Sequence, residues 1–226
     1  MIDAIGSGEV CVWRIPLTAT DEDVGRFHDV LSDEERARIA RRACQDGRRL
    51  TVCWGRARGI LGELIECRPA DVRLLRGPAG RPSLDHGPAD LHLSLSHSGE
   101  WGLLAVSHGA SVGVDVERIR PLQAVARLSE RFLSPPEAGW VLTHADAGSG
   151  AFFRVWTRKE ALLKGLGLGV PGGLQCVSVV GSGGRDLVVA PPYSGWGVVD
   201  LEAPSGYAAA VAYEKGIPVV KVSDAP

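Results

Sequence analysis

The sequence predicts an α+β fold made of two similar α/β halves, residues 1–111 and 112–226, on three observations. Short strand-like runs recur in both halves, each half carries a long helical stretch, and the ends of the halves echo one another. The echo pairs Ser98-Gly99-Glu100-Trp101 and its apolar continuation with Ser205-Gly206-Tyr207 and the alanine-valine run that follows. Two hairpins of a common kind would look the same, so the echo divides evenly between coincidence and duplication. Under duplication the halves pack face to face and a ligand cleft lies between them.

Each element has its own signal. Residues 9–15 alternate as a strand does. Ser32 followed by Glu35 is a capping-box pattern; it opens a helical stretch to about Cys67, with Gly47 as its weakest point. Glycine and proline make Gly77 to Pro82 a loop. Leu91–Ser96 alternates and Trp101–Ser107 is apolar, which predicts a hairpin closed around Ser98-Gly99. A strand at 112–117, a helix near 135–144 and a second helix from Phe152 to Lys164 follow, the helices separated by Gly148-Ser149-Gly150. Short strands are expected at about 175–180, 186–190, 196–202 and 207–213. Gly167-Leu168-Gly169-Val170-Pro171-Gly172 matches a dinucleotide-binding pattern but follows a helix where that fold needs a strand, so it reads as a turn after a helix stop at Gly165.

Composition narrows the class. A net charge of −2 over 226 residues offers no global field for nucleic acid or an anionic membrane. The five cysteines form no CxxC pair, which suits reduced thiols in a cytoplasmic protein. No run approaches a membrane span, and the first residues lack the basic-then-apolar pattern of a secretory signal.

Two segments carry the chemistry. In Gly113-Val114-Asp115-Val116-Glu117, strand alternation projects Asp115 and Glu117 together while the valines enter the core. Paired carboxylates of this kind form half of a hard-cation site, though taken alone Asp-x-Glu is more often a solvated strand face. In the run from Phe152 to Gly165, Trp156, Glu160 and Lys164 share one helical stripe beside apolar neighbours. An ordinary Glu–Lys pair would read the same way. His97 beside Ser96 suggests a nucleophile and base, but adjacent strand residues point to opposite faces. Between Leu31 and Ile60, eight arginines stand against four acids, enough to spare one or two from a solvated helix face.

Taken in order, these segments resemble the 4′-phosphopantetheinyl transferase superfamily. The Gly-x-Asp-x-Glu strand precedes Trp156-Thr157-Arg158-Lys159-Glu160 and Lys164 as it does there. Gly80-Arg81-Pro82 is similar to the family's Gly-[Lys/Arg]-Pro loop, Leu93 to Gly99 to its Ser-His-Ser strand end, and Phe132 to Glu137 to its Phe-[Ser/Thr]-x-x-Glu segment. Length and the two-halves organisation look like the Sfp-type branch, and the first thirty and last fifty residues match only in general character.

The resemblance implies an enzyme that moves the 4′-phosphopantetheine arm of coenzyme A onto a serine of an apo acyl- or peptidyl-carrier protein, releasing adenosine 3′,5′-bisphosphate. Asp115, Glu117 and Glu160 would bind Mg²⁺ (or Mn²⁺), Glu160 would also serve as general base, and Lys164 would steady the phosphate or protonate the leaving group. Gly80, Arg81, Pro82, Ser96 and His97 would meet coenzyme A, and Arg41, Arg42 or Arg49 its 3′-phosphate. Residues 1–111 would then make the coenzyme A contacts and 112–226 hold the metal and catalytic groups, with the enzyme a monomer. Arg118 to Trp140 would meet the carrier, with Leu122, Val125, Phe132 and Leu133 either its apolar contacts or part of the core. Two other classes use the same groups: a Mg²⁺-dependent pyrophosphate hydrolase, and a coenzyme-A-binding module without turnover.

Overall fold

The computed structural model describes residues 5, 8–77, 80–86, 88, 90–144, 148–168, 174–175, 177–180, 189–214 and 219–225. Strand β1 (Glu9–Pro16) leads into helices α1 (Asp21–Asp29), α2 (Asp33–Ile39) and α3 (Cys44–Leu64), then a short hairpin of β2 (Leu74–Arg76) and β3 (Pro82–Leu84). The central run is β4 (Leu91–Ser98), β5 (Trp101–His108) and β6 (Val112–Arg118). Helices α4 (Val125–Phe132), α5 (Pro135–Thr143) and α6 (Ser149–Leu166) follow, then β7 (Trp196–Asp200), β8 (Tyr207–Glu214) and β9 (Val219–Asp224).

The strands form a four-stranded sheet in the order β4-β5-β1-β9 and a three-stranded sheet in the order β6-β8-β7. Alternation along each strand distributes its apolar side chains to two cores. Cys11 and Ile15 of β1, with Leu104 and Val106 of β5, face α3 through Val52, Cys53 and Leu61. The alternate residues Val10, Val12, Leu103 and Ala105 meet Val112, Val114 and Val116 of β6 between the two sheets. Beyond the second sheet, Ala210 and Ala212 of β8 pack on α6 through Ala161, Leu162 and Leu163. The order is therefore helix, sheet, sheet, helix, a mixed α+β architecture. Burying each of these Leu and Val side chains contributes about 1.5–3 kcal/mol.

The chain departs from the sequence expectation in specific places. The stretch from Ser32 is two helices, because the chain breaks at residues 40–43 and not at Gly47, which lies inside α3. The Ser32–Glu35 capping box is present, with Glu35 also taking the buried Arg58 Nε at 2.9 Å. Helices α1 and α4 add to the expected set. Residues 177–180 are buried irregular chain, not a strand, and 186–188 lie outside the described residues. The final strand β9 leaves the second half altogether and pairs parallel with β1. Gly165, the expected helix stop, lies inside α6, which ends later than expected, at Gly167 with φ +70; residues 169–173 of the glycine pattern lie outside the described residues. Cys11, Cys44, Cys53 and Cys67 are free thiols, and no helix among the described residues is long and apolar enough to cross a membrane.

Candidate active site

The site begins with a close approach of two backbones. A Cβ on Gly113 of β6 would stand 2.0 Å from the Ala161 carbonyl and 2.4 Å from the Gly165 amide nitrogen. Only glycine lets β6 lie this close to α6. Two and four residues further along β6, on the strand's period of two, Asp115 and Glu117 project from the same face as Gly113. Glu160 and Lys164 on α6 are one helical turn apart and reach the same place.

Lys164 Nζ lies 2.6 Å from Asp115 Oδ1 and also donates to Ser96 Oγ (2.8 Å) and the Val114 carbonyl (3.2 Å). Its ion-pair partner is thus Asp115 across the strand, in place of Glu160 along the helix. Ser96 donates to Asp115 Oδ1 at 2.7 Å and Ser98 to Glu117 Oε2 at 2.7 Å, while Ser94 accepts from the Val114 N–H. Three serines at i, i+2 and i+4 of β4 therefore stitch one strand face to β6. The opposite face of β4 carries Leu95 and His97, so Ser96 and His97 do diverge as alternation requires.

Electrostatics mark this cluster. Burial, then the Asp115 carboxylate, push the Glu160 carboxyl up to about 7, against the pull of Lys164 and the Trp156 indole N–H that hydrogen-bonds it. Trp156 is itself fixed between Phe152 (stacked, 5.7 Å) and Phe132 (edge-on, 5.7 Å). Burial likewise raises the Glu117 carboxyl, although the Ser98 hydroxyl holds it down. Asp115 Oδ2 is buried and has no hydrogen-bond partner among the described residues. An orphaned carboxylate oxygen beside two further carboxylates is a place for a cation. Among the described residues, however, no three Asp, Glu, His or Cys side chains converge as a ready-made metal cage.

Next to the cluster opens a cleft of about 470 Å³, lined in part by Arg38, Arg42, Arg76, Trp54, His97 and Ser98. Arg76 lies 4.8 Å over the Trp54 ring and donates to the Gly80 carbonyl. His97 is open to water at the cleft yet crowded by protein atoms. That crowding, then Lys164 and Arg42, push its imidazole pKa down.

The sequence-expected residues are not all brought together. Arg42 lines the cleft, whereas Arg41 is exposed away from its walls and Arg49 lies 4.0 Å from Asp46. Arg81 donates to the Gly165 and Val112 carbonyls (2.9 and 3.3 Å), which ties its loop to α6 and β6 and not to the cleft wall. Gly80 serves the cleft through its carbonyl on Arg76, and Pro82 opens β3. Arg38 and Arg76 are cleft cations that sequence reasoning did not select. Leu133 belongs to the core, with Leu122, Val125 and Phe132 half-buried against it.

Comparison with known proteins accords with this geometry. Residues 111–212, which hold Asp115, Glu117, Glu160 and Lys164, match the 4′-phosphopantetheinyl transferase superfamily. The 4′-phosphopantetheinyl transferase HetI of Nostoc sp. is 35% identical over 168 residues, 73% of this chain and 71% of that protein. The 4′-phosphopantetheinyl transferase Sfp of Bacillus subtilis is 26% identical over 196 residues, 85% of this chain and 86% of that protein. The chain belongs to the 4′-phosphopantetheinyl transferase superfamily and is a transferase enzyme of that class.

Proposed function

We propose that the protein transfers the 4′-phosphopantetheine arm of coenzyme A to a serine hydroxyl of an apo acyl- or peptidyl-carrier protein. The observation that carries this reading is the Lys164–Asp115 pair, with Ser96 and Ser98 holding Asp115 and Glu117, beside a cleft lined by Arg38, Arg42 and Arg76. The serine oxygen bonds to the phosphorus that bears the pantetheine arm, and the pyrophosphate P–O bond to adenosine 3′,5′-bisphosphate breaks. Glu160, directly or through a water, takes the serine proton as general base. Lys164 steadies charge on the phosphate or returns a proton to the departing group.

Asp115, Glu117 and Glu160 are the residues that would hold Mg²⁺ (or Mn²⁺). The oxygen-only donor set and the unpartnered Asp115 Oδ2 suit a cation that uses one or two carboxylates and completes its shell with water and phosphate oxygens. Bound there, the ion would neutralise charge on the pyrophosphate. Residues 1–111 contribute the coenzyme A cleft and 112–226 the carboxylates, and one chain supplying both suits a cytoplasmic monomer. The carrier would approach along residues 118–140.

Incubation with coenzyme A, Mg²⁺ and an apo carrier protein should raise the carrier's intact mass by one phosphopantetheinyl group. Full transfer after chelation of divalent ions would refute the metal assignment. Coenzyme A cleaved without gain of carrier mass would mean hydrolysis, and no turnover at all a binding module.

Arg38, Arg42 and Arg76 are the candidates for the 3′-phosphate, with His97 nearby. A guanidinium left without its anion costs roughly 1.5–3 kcal/mol, so 3′-dephospho-coenzyme A should bind about ten- to a hundredfold more weakly. Acetyl-coenzyme A should serve as a donor nearly as well as coenzyme A, since the thiol end lies away from the reacting phosphorus. Equal affinity for coenzyme A and its dephospho form would remove the arginine assignment.

A further inference from the structure

The turn between β4 and β5 serves the cleft and the carboxylates at once. Ser98 and Gly99 line the cleft. Ser98 Oγ donates to Glu117 Oε2 and accepts from the Arg118 N–H at 3.1 Å. What fixes the turn comes from the other sheet. The Glu100 N–H donates to the phenol oxygen of Tyr207, the first residue of β8, at 2.9 Å. A Cβ on Gly99 would come within 2.5 Å of that oxygen, and Gly99 stands at φ +57. The turn backbone thus rests on the phenol in a conformation that glycine adopts without steric cost. Tyr207 sits opposite Arg118 in the β6–β8 ladder, so ring and Ser98 share one anchor. On its other side the turn is held by the Leu17 N–H, which donates to the Glu100 carbonyl at 2.8 Å.

We propose that Tyr207 is a positioning residue for the transfer reaction: its phenol oxygen fixes the β4–β5 turn, and the fixed turn holds Ser98 on Glu117. The proposal rests on the reading of Glu117 as part of the active site. Tyr207 does not line the cleft, so its influence runs through the turn. Nor is it needed for the ladder at that point, since backbone pairing of β6 with β8 does not involve the phenol.

The test is a double-mutant cycle with Ser98, read together with amide hydrogen exchange. Tyr207→Phe keeps the ring and removes the oxygen, so the Glu100 amide and its neighbours in residues 97–101 should exchange faster. The transfer kcat should fall roughly three- to tenfold, the worth of one hydrogen bond. Ser98→Ala should also lower kcat, and adding Tyr207→Phe to it should lower kcat no further, because both changes break one chain of contacts. An equal fall in both backgrounds, or no fall in either, overturns the proposal. Glu117→Gln is measured alongside. If it is inactive while the cycle is additive, the role of Tyr207 fails alone; if it is fully active, the reading of the site fails and takes the proposal with it.

Discussion

Replacing Glu160 with glutamine should lower transfer by a factor on the order of 10²–10³ while leaving the circular dichroism spectrum and melting temperature unchanged. Glutamine keeps the length and planarity of the side chain, and its carbonyl can still accept from the Trp156 indole. The aromatic packing of Phe132, Trp156 and Phe152 therefore stays in place. What disappears is the negative charge and the ability to take a proton. The geometry makes this substitution decisive, because Lys164 does not need Glu160 for its own fixation: it is held by Asp115, Ser96 and the Val114 carbonyl. Were Glu160 only a helix-surface partner of Lys164, its removal would cost a few tenths of a kcal/mol and change the rate by less than about threefold. Rates within that range would remove Glu160 from the mechanism.

Much of this site was legible in the sequence because it depends on short periods. Asp115 and Glu117 share a face through the strand period of two, and Glu160 and Lys164 share one through the helical turn. The hairpin around Ser98-Gly99 was legible for the same reason. The arginines were not. Their assignment depends on helical phase, and the chain resets that phase at residues 40–43, where Ala43, the N-cap of α3, has no side-chain cap to announce it. Arg42 therefore lines the cleft, while Arg41 and Arg49, read as continuing one helix, do not. Arg76 was hidden for a different reason: its place is set by the Trp54 ring and the Gly80 carbonyl, contacts between segments far apart in the chain. The return of β9 to the first sheet had no local signature either, since parallel pairing with β1 is a property of topology. The alternation of Leu91–Ser96 was legible, but that the serines of this strand bond to β6 was not.

Lys159 shows the same limit most sharply, and its substitution should have the largest effect on stability. It precedes Glu160 in the sequence, yet helical geometry turns it by about 100° from Glu160, into the core. Its ammonium is fully buried, pairs with the equally buried Glu137 and donates to the Val177 carbonyl at 2.6 Å. Glu137 also caps α5 by accepting from the Ser134 N–H (2.7 Å) and holds the Val179 N–H at 2.9 Å. One ion pair thus joins α6, α5 and the irregular chain at 177–180, which has no ladder of its own. Lys159→Met fills a similar volume but leaves a carboxylate charge buried without its cation, at a cost of about 3–5 kcal/mol. For a chain of this length that corresponds to a fall of roughly 10 °C in melting temperature. The rate at low temperature, where the variant is still folded, should stay close to wild type, because the Asp115–Lys164 and Trp156–Glu160 contacts lie on other faces of α6. Differential scanning calorimetry with a transfer assay at 10–15 °C below the variant's transition separates the two effects. A melting temperature within about 2 °C of wild type would mean that the pair carries little stability, and a lost rate in the folded variant would place Lys159 in the chemistry after all.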